Sequence, residues 1–125
     1  MSTTAIQFFI SLRNAVKIYH WNTKYYARHI ASDSFVSKID ELIDRFVEVY
    51  IGRYERDQKL TKRKNMEMSF PVLNETSVVN FLQHSAKWLE NELPKSLNKR
   101  DTELFNIRDE MLAEINQTLY LFTIQ

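Results

Sequence analysis

Seven histidine and acidic side chains between residues 20 and 48 are of the kinds that bind metals or move protons: His20, His29, Asp33, Asp40, Glu41, Asp44 and Glu48. Imidazole nitrogen and carboxylate oxygen together suit iron, manganese or zinc. On a helix turning about 100° per residue, Asp40, Asp44 and Glu48 fall within an arc of about 80°. The apolar residues of the same segment occupy a different arc, so this acidic stripe lies beside the core face. A di-iron centre inside a helical bundle takes inward-pointing carboxylates and Glu-x-x-His pairs from several helices. This sequence has no Glu-x-x-His pair, and its second half offers no inward ligand. A site inside one bundle is therefore not expected, whereas a site between two chains is compatible with the spacing.

The elements that must carry these residues read as helices. Ala5, Phe8, Leu12, Ala15, Val16, Tyr19, Thr23 and Tyr26 recur at helical spacing and predict a first helix over residues 4–26, capped by Ser2, Thr3 or Thr4. The polar cluster Ser32-Asp33-Ser34 marks the start of a second helix over 34–54. Its apolar row is Phe35, Ile39, Leu42, Phe46 and Val49, widened by Val36, Ile43, Val47, Tyr50 and Tyr54. Gly52 weakens its last turn. A third helix over 77–93 carries Val78, Leu82, Ala86, Leu89 and Leu93 and stops at Pro94. Asn98 or Asp101 caps a fourth over 101–122, with Leu104, Ile107, Met111, Ile115, Thr118 and Phe122 as its stripe, broadened by Leu112 and Leu119.

Residues 56–75 form one long link, basic at Lys59, Lys62, Arg63 and Lys64, then mixed at Met66, Met68, Phe70 and Pro71. Short links inside each pair of helices make the members antiparallel, so the expected fold is all-α, an antiparallel four-helix bundle in one domain of residues 1–125. The long central link fits a ferritin-like crossover and equally a simple up-down bundle with a long loop.

Composition narrows the function classes. The 125 residues include no cysteine, one glycine and two prolines. Thiol catalysis, disulfides and glycine-rich phosphate cradles are excluded. With 17 basic and 16 acidic residues interspersed, the charge makes no strong case for nucleic acid. No apolar run reaches the length that crosses a bilayer, and the start lacks the pattern of a secretory signal. The expected location is cytoplasmic, without membrane contact.

The tripeptide His20-Trp21-Asn22 at the end of a first helix, followed by an acidic second helix, resembles the Dps branch of the ferritin-like proteins. That resemblance implies an inter-subunit ferroxidase site with iron, built at a two-fold interface of a homo-oligomer. His29-x-x-x-Asp33, then Asp44-x-x-x-Glu48, follows the family's spacing on the second helix. Carried over residue by residue, the implied ligands are His20, His29, Asp33, Asp44 and Glu48. The interval from His20 to His29 is three residues shorter than in that pattern. A second register also exists, in which residues 38–44 align and Asp40 takes the place of Asp33; the assisting positions then fall on Val36 and Ile51, and the ligand set is lost. The lysine-rich DNA-binding tail of Dps is missing. More distantly, the Tyr19-His20-Trp21 stretch with its acidic helix is similar to small uncharacterised proteins of phages and large DNA viruses.

Each of these residues also has a plain structural use. His20 flanks the core in the last turn of its helix, where a cation is favoured. Trp21 packs, Asp33 caps the second helix and leaves His29 in the turn, and Asp40, Asp44 and Glu48 form a solvated face partnered by Lys38 and Arg45. Two functions follow. The first is a non-catalytic helical protein acting through protein-protein contacts, such as a phage or viral accessory or structural component. The alternative is an iron-binding protein of Dps type that oxidises or sequesters iron.

Overall fold

The computed structural model describes residues 3–54 and 64–125. Ser2, one of the three candidate caps, lies outside them, as do residues 56–63 of the long link with most of its basic run. Four helices make up the described residues: α1 (Thr3–Asn22), α2 (Tyr26–Tyr54), α3 (Ser77–Asn91) and α4 (Thr102–Leu121). A 3-10 turn at Leu93–Ser96, entered through Pro94, links α3 to α4. The described residues include no strand.

The break between α1 and α2 falls earlier than the polar cluster predicts. Only Thr23, Lys24 and Tyr25 separate the two helices. Thr23 makes the turn locally: its amide donates to the Tyr19 carbonyl at 2.8 Å, and its hydroxyl accepts the Tyr25 amide at 3.2 Å. The Tyr25 carbonyl then takes the His29 amide at 2.9 Å and opens α2. Ser32 is not a cap. Its hydroxyl turns back onto the His29 carbonyl at 3.1 Å, a bond that a serine makes inside a helix. Asp33 sits in the second turn of α2, so it does not cap the helix, and His29 and Asp33 lie one turn apart on a shared face.

The helices surround one core. α1 runs antiparallel to α2: Phe9 meets Phe46 with ring centroids 5.2 Å apart, and Arg13 pairs with Asp40 at 3.2 Å. α2 runs antiparallel to α4, since Arg28 at its start reaches the Phe122 carbonyl and Arg53 near its end reaches Glu103 at 3.2 Å. Arg108 of α4 donates to the Leu89 carbonyl of α3 at 3.1 Å, and Trp88 of α3 stacks on Phe8 of α1 at 3.9 Å. The order around the core is α1, α2, α4, α3. Helices α2 and α3 stand on a diagonal and run in the same direction, so the link between them must travel the length of the bundle. Its described part does so along α1. Gln7 donates to the Glu67 carbonyl near one end, Leu73 is buried, and Glu75 meets Tyr19 near the other end.

The predicted stripes of α3 and α4 are buried at every position. In α1 the core position is Phe9, with Phe8 only half-buried beside Trp88. Tyr26 belongs to α2 and faces outward, 77% exposed. Asn74 opens α3 by accepting the amides of Thr76 and Ser77 at 2.9 and 2.8 Å. Asp101 holds the position before α4, but its side chain turns away from the α4 amides, so the expected side-chain cap is not made.

Candidate functional site

The site grows out of the turn between α1 and α2. His20 is in the last turn of α1 and His29 in the first turn of α2. Their rings stack with centroids 4.0 Å apart and planes 16° from parallel. Nδ1 of His20 lies 2.8 Å from the His29 carbonyl, and Nδ1 of His29 lies 2.9 Å from the His20 carbonyl. Carbonyls only accept, so both rings carry a proton on Nδ1. The four last carbonyls of a helix lack partners within it, and His29 supplies one to α1. Ser32 completes the arrangement, 3.1 Å from Nδ1 of His20.

In a neutral ring, a proton on Nδ1 leaves Nε2 with its lone pair. A histidine whose Nδ1 proton is held by a carbonyl is oriented for metal binding through Nε2. For His20 that atom lies 3.9 Å from Oδ1 of Asp33. Two ligands each about 2 Å from a tetrahedral metal stand about 3.3 Å apart, so His20 and Asp33 are neighbours but stand wider than ligand spacing. His20 is buried, 7% exposed, whereas the Asp33 side chain faces outward.

Asp44 and Glu48 are not part of this group. They lie about 16 and 22 Å further along α2 than Asp33, at 1.5 Å per residue. Both are exposed and form no ion pair among the described residues. Asp40 is held by Arg13 of α1, while Lys38 and Arg45 reach Glu114 and Glu110 of α4, at 3.9 and 3.5 Å. The expected pairing of Lys38 and Arg45 with the acidic stripe is therefore replaced by pairing across helices. One chain brings together His20, His29 and Asp33 and leaves Asp44 and Glu48 apart. No group of three or more such side chains placed to hold a metal occurs among the described residues.

Residues 20–122 match a family of unknown function, DUF5856. The chain belongs to that family. The matched stretch runs from His20 to Phe122, so it includes the stacked histidines of this DUF5856 member and the whole of α2. No curated protein and no solved structure matches the chain. Among the described residues, no helix is long and apolar enough to cross a membrane.

Two features of the same end escape the sequence pattern. Arg28 sits in the first turn of α2, where the helix dipole disfavours a cation. It is held by the Phe122 carbonyl at 3.3 Å, the Glu75 carbonyl at 2.6 Å and the Tyr19 hydroxyl at 3.3 Å. With the second helix expected to start at residue 34, Arg28 fell in the turn, and no sequence signal marked it. The second feature is an exposed apolar surface. Trp21, Tyr25, Tyr26 and Ile30 are 66%, 57%, 77% and 50% exposed. Trp21 does not pack into the bundle as expected; Lys17 lies over its ring, 5.3 Å from the centroid.

Proposed function

We propose that this chain is a non-catalytic helical protein that works through contacts with other protein chains, on a ferritin-like scaffold. The observation that carries this reading is the exposed apolar end to which Trp21, Tyr25, Tyr26 and Ile30 contribute. Exposed apolar patches of this kind mark interaction surfaces, and the Nδ1 protons of both histidines serve to hold the turn that presents them. The ferritin-like assignment is supported by two antiparallel pairs joined by one long crossover. A phage or viral accessory or structural role, in the cytoplasm, is consistent with this reading. The test is affinity isolation and sedimentation of the purified chain with and without chelator. A stable oligomer or a stoichiometric protein partner, unaffected by chelator and lost in Ile30→Glu, is expected. A chain that has neither, and that carries stoichiometric iron, overturns the reading.

A second reading is favoured by one observation. His20 and Asp33 present a nitrogen and an oxygen 3.9 Å apart, and Asp33, Asp44 and Glu48 lie on one face of α2. Two copies pairing antiparallel through that face would set His20 and Asp33 beside the partner subunit's Asp44 and the partner subunit's Glu48. Ferrous iron would then be the substrate, giving electrons to oxygen or peroxide. Tight Fe(II) binding with oxidant consumption is expected on this reading. No binding in a titration, or behaviour unchanged by Asp44→Ala, ends it.

A further inference from the structure

The α1–α2 turn and the end of α4 enclose a cleft of about 690 Å³. Tyr25, Tyr26, Phe122 and Ile124 give it apolar and aromatic walls, and Lys24 and Arg28 are its only charged side chains. No Asp or Glu side chain lines it. Lys24 is exposed and makes no ion pair among the described residues. Arg28 is fixed through Nε and Nη1 to Phe122, Tyr19 and Glu75. Its Nη2 donates to no partner among the described residues. The guanidinium is also clamped between rings, 5.7 Å from the Tyr25 centroid and 5.1 Å from that of Phe122. Glu75 offsets Arg28 in part, at 3.5 Å, Gln125 also lines the cleft, and Lys24 is the cation left without an ion pair among the described residues.

These features combine two parts of a recognition site. Tyrosine and arginine are the residues that dominate protein-protein contacts when they sit in a well-defined pocket. A guanidinium held in place and a free ammonium on the rim complement a carboxylate. A nucleic-acid strand needs a row of phosphate contacts along its backbone. Here the cations number two and share one cleft, and aliphatic Ile30 and Ile124 add exposed apolar surface at this end.

We propose that this cleft takes a short segment of a partner protein in which an Asp or Glu adjoins a large apolar side chain. The carboxylate binds between Lys24 and Nη2 of Arg28, and the apolar side chain lies against Tyr25, Tyr26 and Ile124. This rests on the reading of the chain as a protein-contact module and names the partner's chemistry.

The test is selection of a random peptide library displayed on phage against the full chain, followed by binding of the synthesised winners. Lys24→Glu and Tyr26→Ala are the variants; both positions are exposed, and unchanged unfolding midpoints verify that they fold. The expected winners carry Asp or Glu next to Leu, Ile, Phe or Trp. Lys24→Glu weakens them at least tenfold, and added salt weakens them as well. No enrichment, winners without acidic residues, or winners indifferent to both substitutions overturn the proposal. So does a fluorescein-labelled oligo-dT strand that binds through Lys24 and Tyr26 more tightly than any selected peptide. A failed selection leaves the wider protein-contact reading standing, because that reading is decided by sedimentation and isolation of the chain itself.

Discussion

His20 and His29 hold each other's backbone: each imidazole donates its Nδ1 proton to the other residue's carbonyl, 2.8 and 2.9 Å away, with the rings stacked 4.0 Å apart. Neither bond survives without the ring that donates it, and the stack needs both. A double-mutant cycle is the appropriate measurement. His20→Ala empties a buried position and is expected to destabilise by about 2–3 kcal/mol, and His29→Ala by about 1 kcal/mol. The double variant is expected to lose less than the sum, with a coupling of about 0.5–2 kcal/mol in denaturant unfolding. Strict additivity would show that the rings act independently.

The core of α1 offers a sharp contrast between two neighbours. Phe9 is 1% exposed and meets Phe46 and Trp88 edge-on, whereas Phe8 is half-buried and stacks on Trp88 from outside. Phe9→Ala is expected to cost about 3–5 kcal/mol, within the range for emptying a buried aromatic position. Phe8→Ala is expected to cost clearly less, because its ring leaves behind open surface and no closed cavity. Equal losses in thermal unfolding would contradict that assignment.

That contrast also shows where the fold was legible. The single stripes of α3 and α4 are interrupted by polar residues, so periodicity alone identified Val78 to Leu93 and Leu104 to Phe122 as buried. At Phe8-Phe9 two equivalent rings adjoin, and the pattern cannot choose the phase by itself. The second helix began eight residues early for a related reason. Ser32-Asp33-Ser34 has cap chemistry, but Thr23 makes the turn instead, and the Ser32 hydroxyl bonds the His29 carbonyl inside the helix. The candidate ligands were legible as types and spacing. His20, His29 and Asp33 meet because a three-residue turn folds α1 onto α2. Asp44 and Glu48 stay apart because three to four turns of α2 separate them from Asp33.

Gly52 lies inside α2 with ordinary helical backbone, and a methyl group added there would meet nothing within 4 Å among the described residues. Glycine loses more backbone freedom on folding than alanine does. Gly52→Ala is therefore expected to stabilise by about 0.5–1 kcal/mol, read as a higher denaturation midpoint. A loss of stability would mean that the open space at this position is used by another part of the chain.

Asp101 has a fully buried side chain between α2 and α4. Burial acts to raise its pKa, but the Tyr54 hydroxyl, the Asn98 amide at 2.8 Å and Arg53 at 2.6 Å outweigh it and hold the carboxyl below its usual value of 3.8. The folded state thus binds this proton more weakly than the unfolded state. The stability supplied is complete above about pH 4 and is lost as pH falls through the lower folded value. Asp101→Asn is expected to be less stable than the parent at neutral pH, with the gap closing on acidification below pH 4. A gap independent of pH would show that packing, and not the charge, is what Asp101 contributes.

Tyr19 titrates in the opposite sense. It is completely buried, donates to Glu75 at 3.1 Å and accepts from Arg28 at 3.3 Å. Burial raises its pKa above 10.0, against the lowering effects of Thr23 and Arg28. Its contribution is therefore complete below pH 10 and is lost as pH rises through the folded value, because the unfolded phenol ionises first. Tyr19→Phe removes that alkaline loss along with the hydroxyl. At neutral pH the variant is expected to be about 1 kcal/mol less stable. Above pH 10 the parent loses up to about 1.4 kcal/mol per pH unit while Tyr19 stays protonated, so the two stabilities converge. Tyr50, also raised by burial, is present in both proteins and cancels from the comparison. Denaturant unfolding at several alkaline pH values decides the matter, and a difference that stays constant across them would place Tyr19 outside the alkaline transition.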